Sequence, residues 1–169
     1  MMDITEYALI KETYLDERPV FGQIFVDNFA EVSQSLSDRK KSNLNNFVTN
    51  QLTSWANHNN IYLKRVSSDR FVAFLDKNIL SELEKTKFEI IDRVRETTAQ
   101  QNTPLTVSMG FSYADDTQEE MNYGEIAKFA QENLDLALGR GGDQVVVRSK
   151  NKETRFYGGK SNPLEKRTR

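Results

Sequence analysis

Two hydrophobic periods alternate along the chain: short apolar runs of strand type, and longer stretches whose apolar residues recur every three to four positions. Val20 to Val26 reads as a strand; it barely alternates, so burial on both faces is expected. Pro19 before it suits entry into a strand and not a helix interior. Ser37-Asp38 offers an N-cap, and Leu44, Phe47, Val48, Leu52 and Trp55 then recur at helical spacing until Asn57 to Asn60 end the helix. Ile61 to Val66 alternates as a strand, Phe71 to Leu75 reads as a second, buried one, and the few residues between them predict a β-hairpin. Asn78 is placed to cap one long helix with Leu80, Leu83, Ile90, Ile91 and Val94 inward, and Pro104 introduces a strand from Leu105 to Phe111. A third helix is predicted from Asn122 to about Leu138, stopped by Gly139, Gly141 and Gly142. Asp143 to Arg148 returns as a strand, and Arg155-Phe156-Tyr157 adds one at an edge. This order predicts an α+β sandwich with helices against a central, mainly antiparallel sheet.

At 169 residues and 37% hydrophobic content, the chain can bury one sizeable core. Residues 1–17 read as a connector, 18–150 as the domain, and 151–169 as an edge strand followed by a basic linker. There is no Cys, which excludes disulfides, thiolate metal sites and cysteine nucleophiles and is compatible with a reducing cytosol. The single His58 stands among Asn residues at a helix end, where a solvated imidazole is expected. No apolar run is long enough for a membrane span, and this piece is expected to be soluble. The net charge of −2 is unevenly spread: Arg148 to Arg169 holds eight Lys or Arg against Glu153 and Glu165, leaving −8 on the remainder. No aromatic stacking platform accompanies the basic tail, so nucleic-acid binding is not expected.

The residues that bear chemistry gather at the hairpin, Val66-Ser67-Ser68-Asp69-Arg70-Phe71. Asp69 is a turn residue or a metal ligand, and Arg70 beside it is placed to neutralise it. Asp27 and Asn28 leave the first strand opposite this hairpin if the two strands pair; two carboxylates there would hold a divalent ion over a triphosphate, whereas the plainer role is to cap the turn. Gly139-Arg140-Gly141-Gly142-Asp143 imitates a phosphate loop, but it follows a helix and precedes a strand, the reverse of that motif's order. A glycine helix stop accounts for the same residues.

From about Pro19 to Arg148 the chain resembles a GGDEF domain. The likeness rests on Val26-Asp27-Asn28-Phe29, the hairpin, Thr106-Val107-Ser108-Met109-Gly110, and Leu136-Ala137-Leu138 of the last helix. It implies a nucleotidyl-cyclase palm-like fold, and it places the family's functional positions on altered residues. The first metal-binding aspartate falls on Phe25, the second metal carboxylate on Asp69, and the glutamate after it on Arg70. The glycines become Ser67 and Ser68, the guanine-contacting Asn becomes Ser33, and the Arg-x-x-Asp inhibitory site falls on His58-Asn59-Asn60-Ile61. Arg140 is the substitute for a missing helix-end Lys. Synthesis of cyclic di-GMP is therefore not expected.

These losses, with Phe156-Tyr157-Gly158-Gly159-Lys160-Ser161 beyond them, resemble the degenerate GGDEF domain of GdpP-type cyclic di-AMP phosphodiesterases. That resemblance implies a parent with two transmembrane helices and a PAS domain before this module, near Asp3-Ile4-Thr5-Glu6, and a Mn-dependent DHH/DHHA1 hydrolase domain after Glu165 to Arg169. The parent would sit at the cytoplasmic face of a bacterial membrane. The expected role is regulatory: coupling sensor input to the DHH domain, by binding a nucleotide or by forming a homodimer. The alternative is a weak ATP or GTP hydrolase, with Mg or Mn, at the remnant hairpin. The candidate nucleotide-binding residues are Asp27, Asn28, Ser67, Ser68, Asp69, Arg70 and Arg140, with Asp69 as the metal ligand.

Overall fold

The computed structural model describes residues 5–6, 17–114, 123–149 and 152–159. Most of the connector, the expected helix start at Asn122 and most of the basic tail lie outside these. In chain order the elements are β1 (Pro19–Val26), α1 (Phe29–Gln34), α2 (Asp38–His58), β2 (Tyr62–Ser67), β3 (Arg70–Asp76), α3 (Lys77–Lys85), α4 (Glu89–Gln100), β4 (Val107–Tyr113), α5 (Tyr123–Gly139), β5 (Gln144–Val147) and β6 (Arg155–Gly158). They build one six-stranded sheet in the order β2-β3-β1-β4-β5-β6. Neighbouring strands are antiparallel except β4 and β5, whose parallel pairing needs the crossover that α5 supplies.

One face of the sheet carries the main core, with Ile24, Phe71, Met109 and Phe111 joining Leu52 and Trp55 of α2 and Ile90 and Val94 of α4. On the other face α5 lies so close to β4 that a Cβ added to Gly110 would stand 2.2 Å from the Leu134 amide nitrogen. This helix covers only part of that face. β1 therefore alternates, with Val20, Gly22, Ile24 and Val26 buried and their neighbours partly exposed, instead of being buried on both faces. β3 departs from expectation in the same way: Phe71, Ala73 and Leu75 are buried, but Phe74 is 46% exposed next to Tyr62 at 63%.

Ser37 caps α2 as expected, accepting from the Lys40 amide. The long helix expected from Asn78 is two helices, and Asp76, not Asn78, caps the first through a bond from the Ile79 amide. The break lies at Lys87 and Phe88, both left-handed at φ 55° and 52°. Phe88 is buried, stacking on Phe111 at 5.5 Å and meeting Tyr157 at 5.3 Å, so core contacts offset a backbone conformation that a bulky residue rarely adopts. Edge strand β6 is fastened to α3, where Glu84 accepts from Arg155 Nε at 2.5 Å and from the Tyr157 hydroxyl at 2.6 Å.

The candidate site at the hairpin

β1 pairs with β3, so the hairpin stands beside the exit of β1, and the Val26 amide donates to the Asp69 carbonyl at 2.8 Å. The turn contains no glycine, and neither Ser68 nor Asp69 takes a positive φ. A register shift between Arg65 and Ser67 lets this turn close the hairpin. Arg65 braces it: Nε donates to the Ser67 carbonyl at 2.9 Å, while Nη2 reaches the Ser68 carbonyl at 3.3 Å and Asn45 on α2. The Ser67 hydroxyl donates to Asp69 Oδ1 at 3.0 Å.

Arg70 turns away from Asp69. It is the register partner of Phe25, whose ring centre lies 5.5 Å from the guanidinium carbon, and its Nη1 donates to Gln131 Oε1 on α5 at 2.9 Å. A cation and an aromatic ring therefore stand together where the resemblance assigns the family's first metal-binding aspartate and the glutamate that follows the second. Asp69 is the one carboxylate left at the turn, and among the described residues no group of three or more His, Cys, Asp or Glu is placed to hold a metal ion. This donor set does not fit a Mg or Mn centre built on paired carboxylates.

Asp27 faces the other way along the sheet edge. Its Oδ2 accepts from the Thr106 hydroxyl at 2.6 Å and from the Asp143 amide at 2.9 Å. Burial raises its pKa above the ordinary 3.8, and hydrogen bonds from Thr106, Ser108 and the Asp143 amide pull it back only in part. Asn28 begins α1 without a side-chain cap bond and instead spans to the strand opposite, donating to the Pro104 carbonyl at 3.0 Å and accepting from the Thr106 amide at 3.2 Å. The glycine turn seats on Asp27, with Gly142 at φ 76° and its backbone so near that a Cβ would stand 2.9 Å from Asp27 Oδ2. Arg140 is not brought to the hairpin: it donates to Gln144 Oε1 at 2.9 Å and lies 3.9 Å over the Phe156 ring. Ser67, Ser68, Asp69 and Arg70 thus form one group, Asp27 and Asn28 a second against β4, and Arg140 a third at β5 and β6.

Sequence reasoning missed Arg95, whose Nε pairs with the buried Asp143 Oδ2 at 3.3 Å, and the bracing residues Arg65 and Gln131. Asp143 sits in the glycine turn that was legible; nothing in the local pattern marks Arg95 on α4 as its partner.

A sheet of this order with the hairpin beside the end of β1 defines the palm fold shared by GGDEF domains and nucleotidyl cyclases. The structure is similar to the GGDEF domain of DgcB from Caulobacter crescentus, with a TM-score of 0.64, 15% identity, and coverage of 83% of this chain and 82% of that one. It is also similar to the active GGEEF domain of a diguanylate cyclase from Vibrio cholerae, with a TM-score of 0.61, 16% identity, and coverage of 87% and 92%.

Residues 24–155 match the family described as cyclic-di-AMP phosphodiesterase GdpP-like, GGDEF domain, and the chain belongs to that family. It is 50% identical over its full length to cyclic-di-AMP phosphodiesterase PdeA of Listeria monocytogenes serotype 1/2a (strain 10403S). It is 47% identical over 99% of its length to cyclic-di-AMP phosphodiesterase GdpP of Bacillus subtilis (strain 168). The chain spans 25% of each of these relatives, so other parts of the chain accompany this domain in them.

Proposed function

We propose that this chain is a regulatory GGDEF-like domain without cyclase activity, which couples sensor input to the DHH catalytic domain of a membrane-anchored cyclic di-AMP phosphodiesterase. The observation that carries this reading is the stacking of Arg70 on Phe25, which puts a fixed positive charge where cyclase chemistry needs a metal ion. The braced hairpin suits a nucleotide or a second copy of the domain as the regulatory contact. Membrane anchoring belongs to the parent; among the described residues no helix is long and apolar enough to cross a membrane.

The test uses the full-length parent. Arg65→Ala frees the hairpin from α2 while leaving the DHH domain untouched, and it is expected to change the rate of cyclic di-AMP hydrolysis, or its response to ATP or GTP, by about threefold or more. An unchanged rate and response would overturn the coupling role. Production of cyclic di-GMP from GTP by the purified chain would overturn the non-cyclase reading. A hydrolytic reading, with ATP or GTP and a divalent ion, draws on the exposed Ser67 and Asp69 pair. It requires metal-dependent turnover that Asp69→Ala abolishes without unfolding the domain.

A further inference from the structure

The entry to the sheet and its last strand meet at one buried aromatic residue. Arg18, just before β1, and Arg155, the first residue of β6, both reach Tyr113 at the end of β4. The strand register puts this junction at the end of the sheet opposite the hairpin: Pro19 pairs with Asp76 and Val20 with Tyr113, whereas Phe25 and Arg70 pair at the other end. A force on the residues before β1 therefore enters the domain here, and β6 is held here.

Arg18 is fixed in three ways. Its carbonyl accepts from the Lys77 amide at 2.9 Å, its Nη1 donates to the Ala114 carbonyl at 2.6 Å, and its guanidinium carbon lies 5.3 Å from the centre of the Tyr113 ring. Lys77 Nζ stands 5.0 Å from the same ring centre. Tyr113 is only 3% exposed, and a ring kept from water attracts a cation more strongly. Its hydroxyl serves the other partner, accepting from Arg155 Nη2 at 3.4 Å.

A second connection runs beside the first. Lys77 begins α3, and Glu84, about 10 Å further along that helix, accepts from Arg155 and from the Tyr157 hydroxyl. Leu80 and Leu83 seat the helix in the core between these two points. The Glu84 side chain is 13% exposed, so its pairing with Arg155 is shielded from the screening that weakens a surface ion pair. β6 has only four residues and lies at the sheet edge, where strand pairing alone holds it weakly.

We infer that Arg18, Tyr113 and Glu84 form a direct route from the entry of the chain to β6, so that a displacement of the residues before β1 changes how firmly β6 is held, without involving the hairpin. The regulatory use of this route rests on the coupling role proposed above; the physical link does not.

The link is tested by amide hydrogen exchange of the chain, with β2, the edge strand at the far side of the sheet, as internal reference. Arg18→Ala is expected to speed exchange of the β6 amides about fivefold or more and to leave β2 within about twofold. Tyr113→Phe keeps the ring and removes the acceptor for Arg155; in that background the effect of Arg18→Ala on β6 is expected to shrink by about threefold or more. Unchanged β6 exchange in Arg18→Ala, equal acceleration of β6 and β2, or effects of the two substitutions that simply multiply would each overturn the link. In the full-length parent, Arg18→Ala is expected to change the rate of cyclic di-AMP hydrolysis, or its response to ATP or GTP, by about threefold or more. A parent that responds to Arg65→Ala and not to Arg18→Ala would overturn this route and keep the coupling role, whereas one that responds to neither would overturn both.

Discussion

Asp27 holds its carboxylate in a place that disfavours charge, and Gly142 is the residue that closes the space around it. A carboxyl whose pKa is raised by folding binds more protons in the native state, so its contribution to stability is complete below the unfolded pKa and is lost as pH rises through the folded one. Asp27→Asn removes that titration. The stability of the native protein relative to this variant is therefore expected to fall as pH rises from near 3.8 through the folded pKa and then to level off, read from urea midpoints across the acid range. A difference that grows with pH would refute the assignment. Gly142→Ala places a side chain at φ 76° and against Asp27, and is expected to lose about 2 kcal/mol or more, whereas Gly139→Ala meets nothing within 4 Å and is expected to be neutral or stabilising. Urea unfolding of the two variants checks both. The glycine stop was legible because glycine at a helix end is a local signal. The role of Asp27 was not, since its partners Thr106 and Asp143 lie 79 and 116 residues away.

The break between α3 and α4 shows where element-scale reading stops. Leu80, Leu83, Ile90, Ile91 and Val94 keep a helical period across it, and no Gly or Pro interrupts the segment. What breaks the helix is tertiary: Phe88 leaves the helical path to stack between Phe111 of β4 and Tyr157 of β6. Phe88→Ala is accordingly expected to lose about 3 to 5 kcal/mol, by chemical denaturation, and Phe88→Leu distinctly less. A loss below about 1 kcal/mol for the alanine variant would mean that the turn, and not the ring, sets the path of the chain. The succession of strands and helices along the chain was legible for the same reason that this break was not. The hairpin and the helix-to-strand alternation are read from neighbouring residues, whereas the exposure of Phe74 depends on how far α5 reaches across the sheet.

Across the whole molecule, the backbone of the palm fold is retained while the side chains at its hairpin are changed. The Phe25 and Arg70 register and the bond from the Val26 amide to the Asp69 carbonyl place the hairpin against β1, and the Arg65 brace ties it to α2. If side chains alone account for the poor fit to a metal ion, restoring carboxylates should create a site on the existing frame. Phe25→Asp with Arg70→Glu puts two carboxylates at paired positions of β1 and β3, one residue from Asp69, and removes the guanidinium. The double variant is expected to gain Mn²⁺-dependent stabilisation, about 3 kcal/mol at a hundredfold excess over the dissociation constant, seen as a melting temperature that rises with metal concentration. The unmodified chain and Phe25→Asp alone should show no such rise, because Arg70 would remain as a positive charge in the same space. A folded double variant that ignores Mn²⁺ would show that the glycine-free turn, and not only its side chains, has moved away from metal-binding geometry.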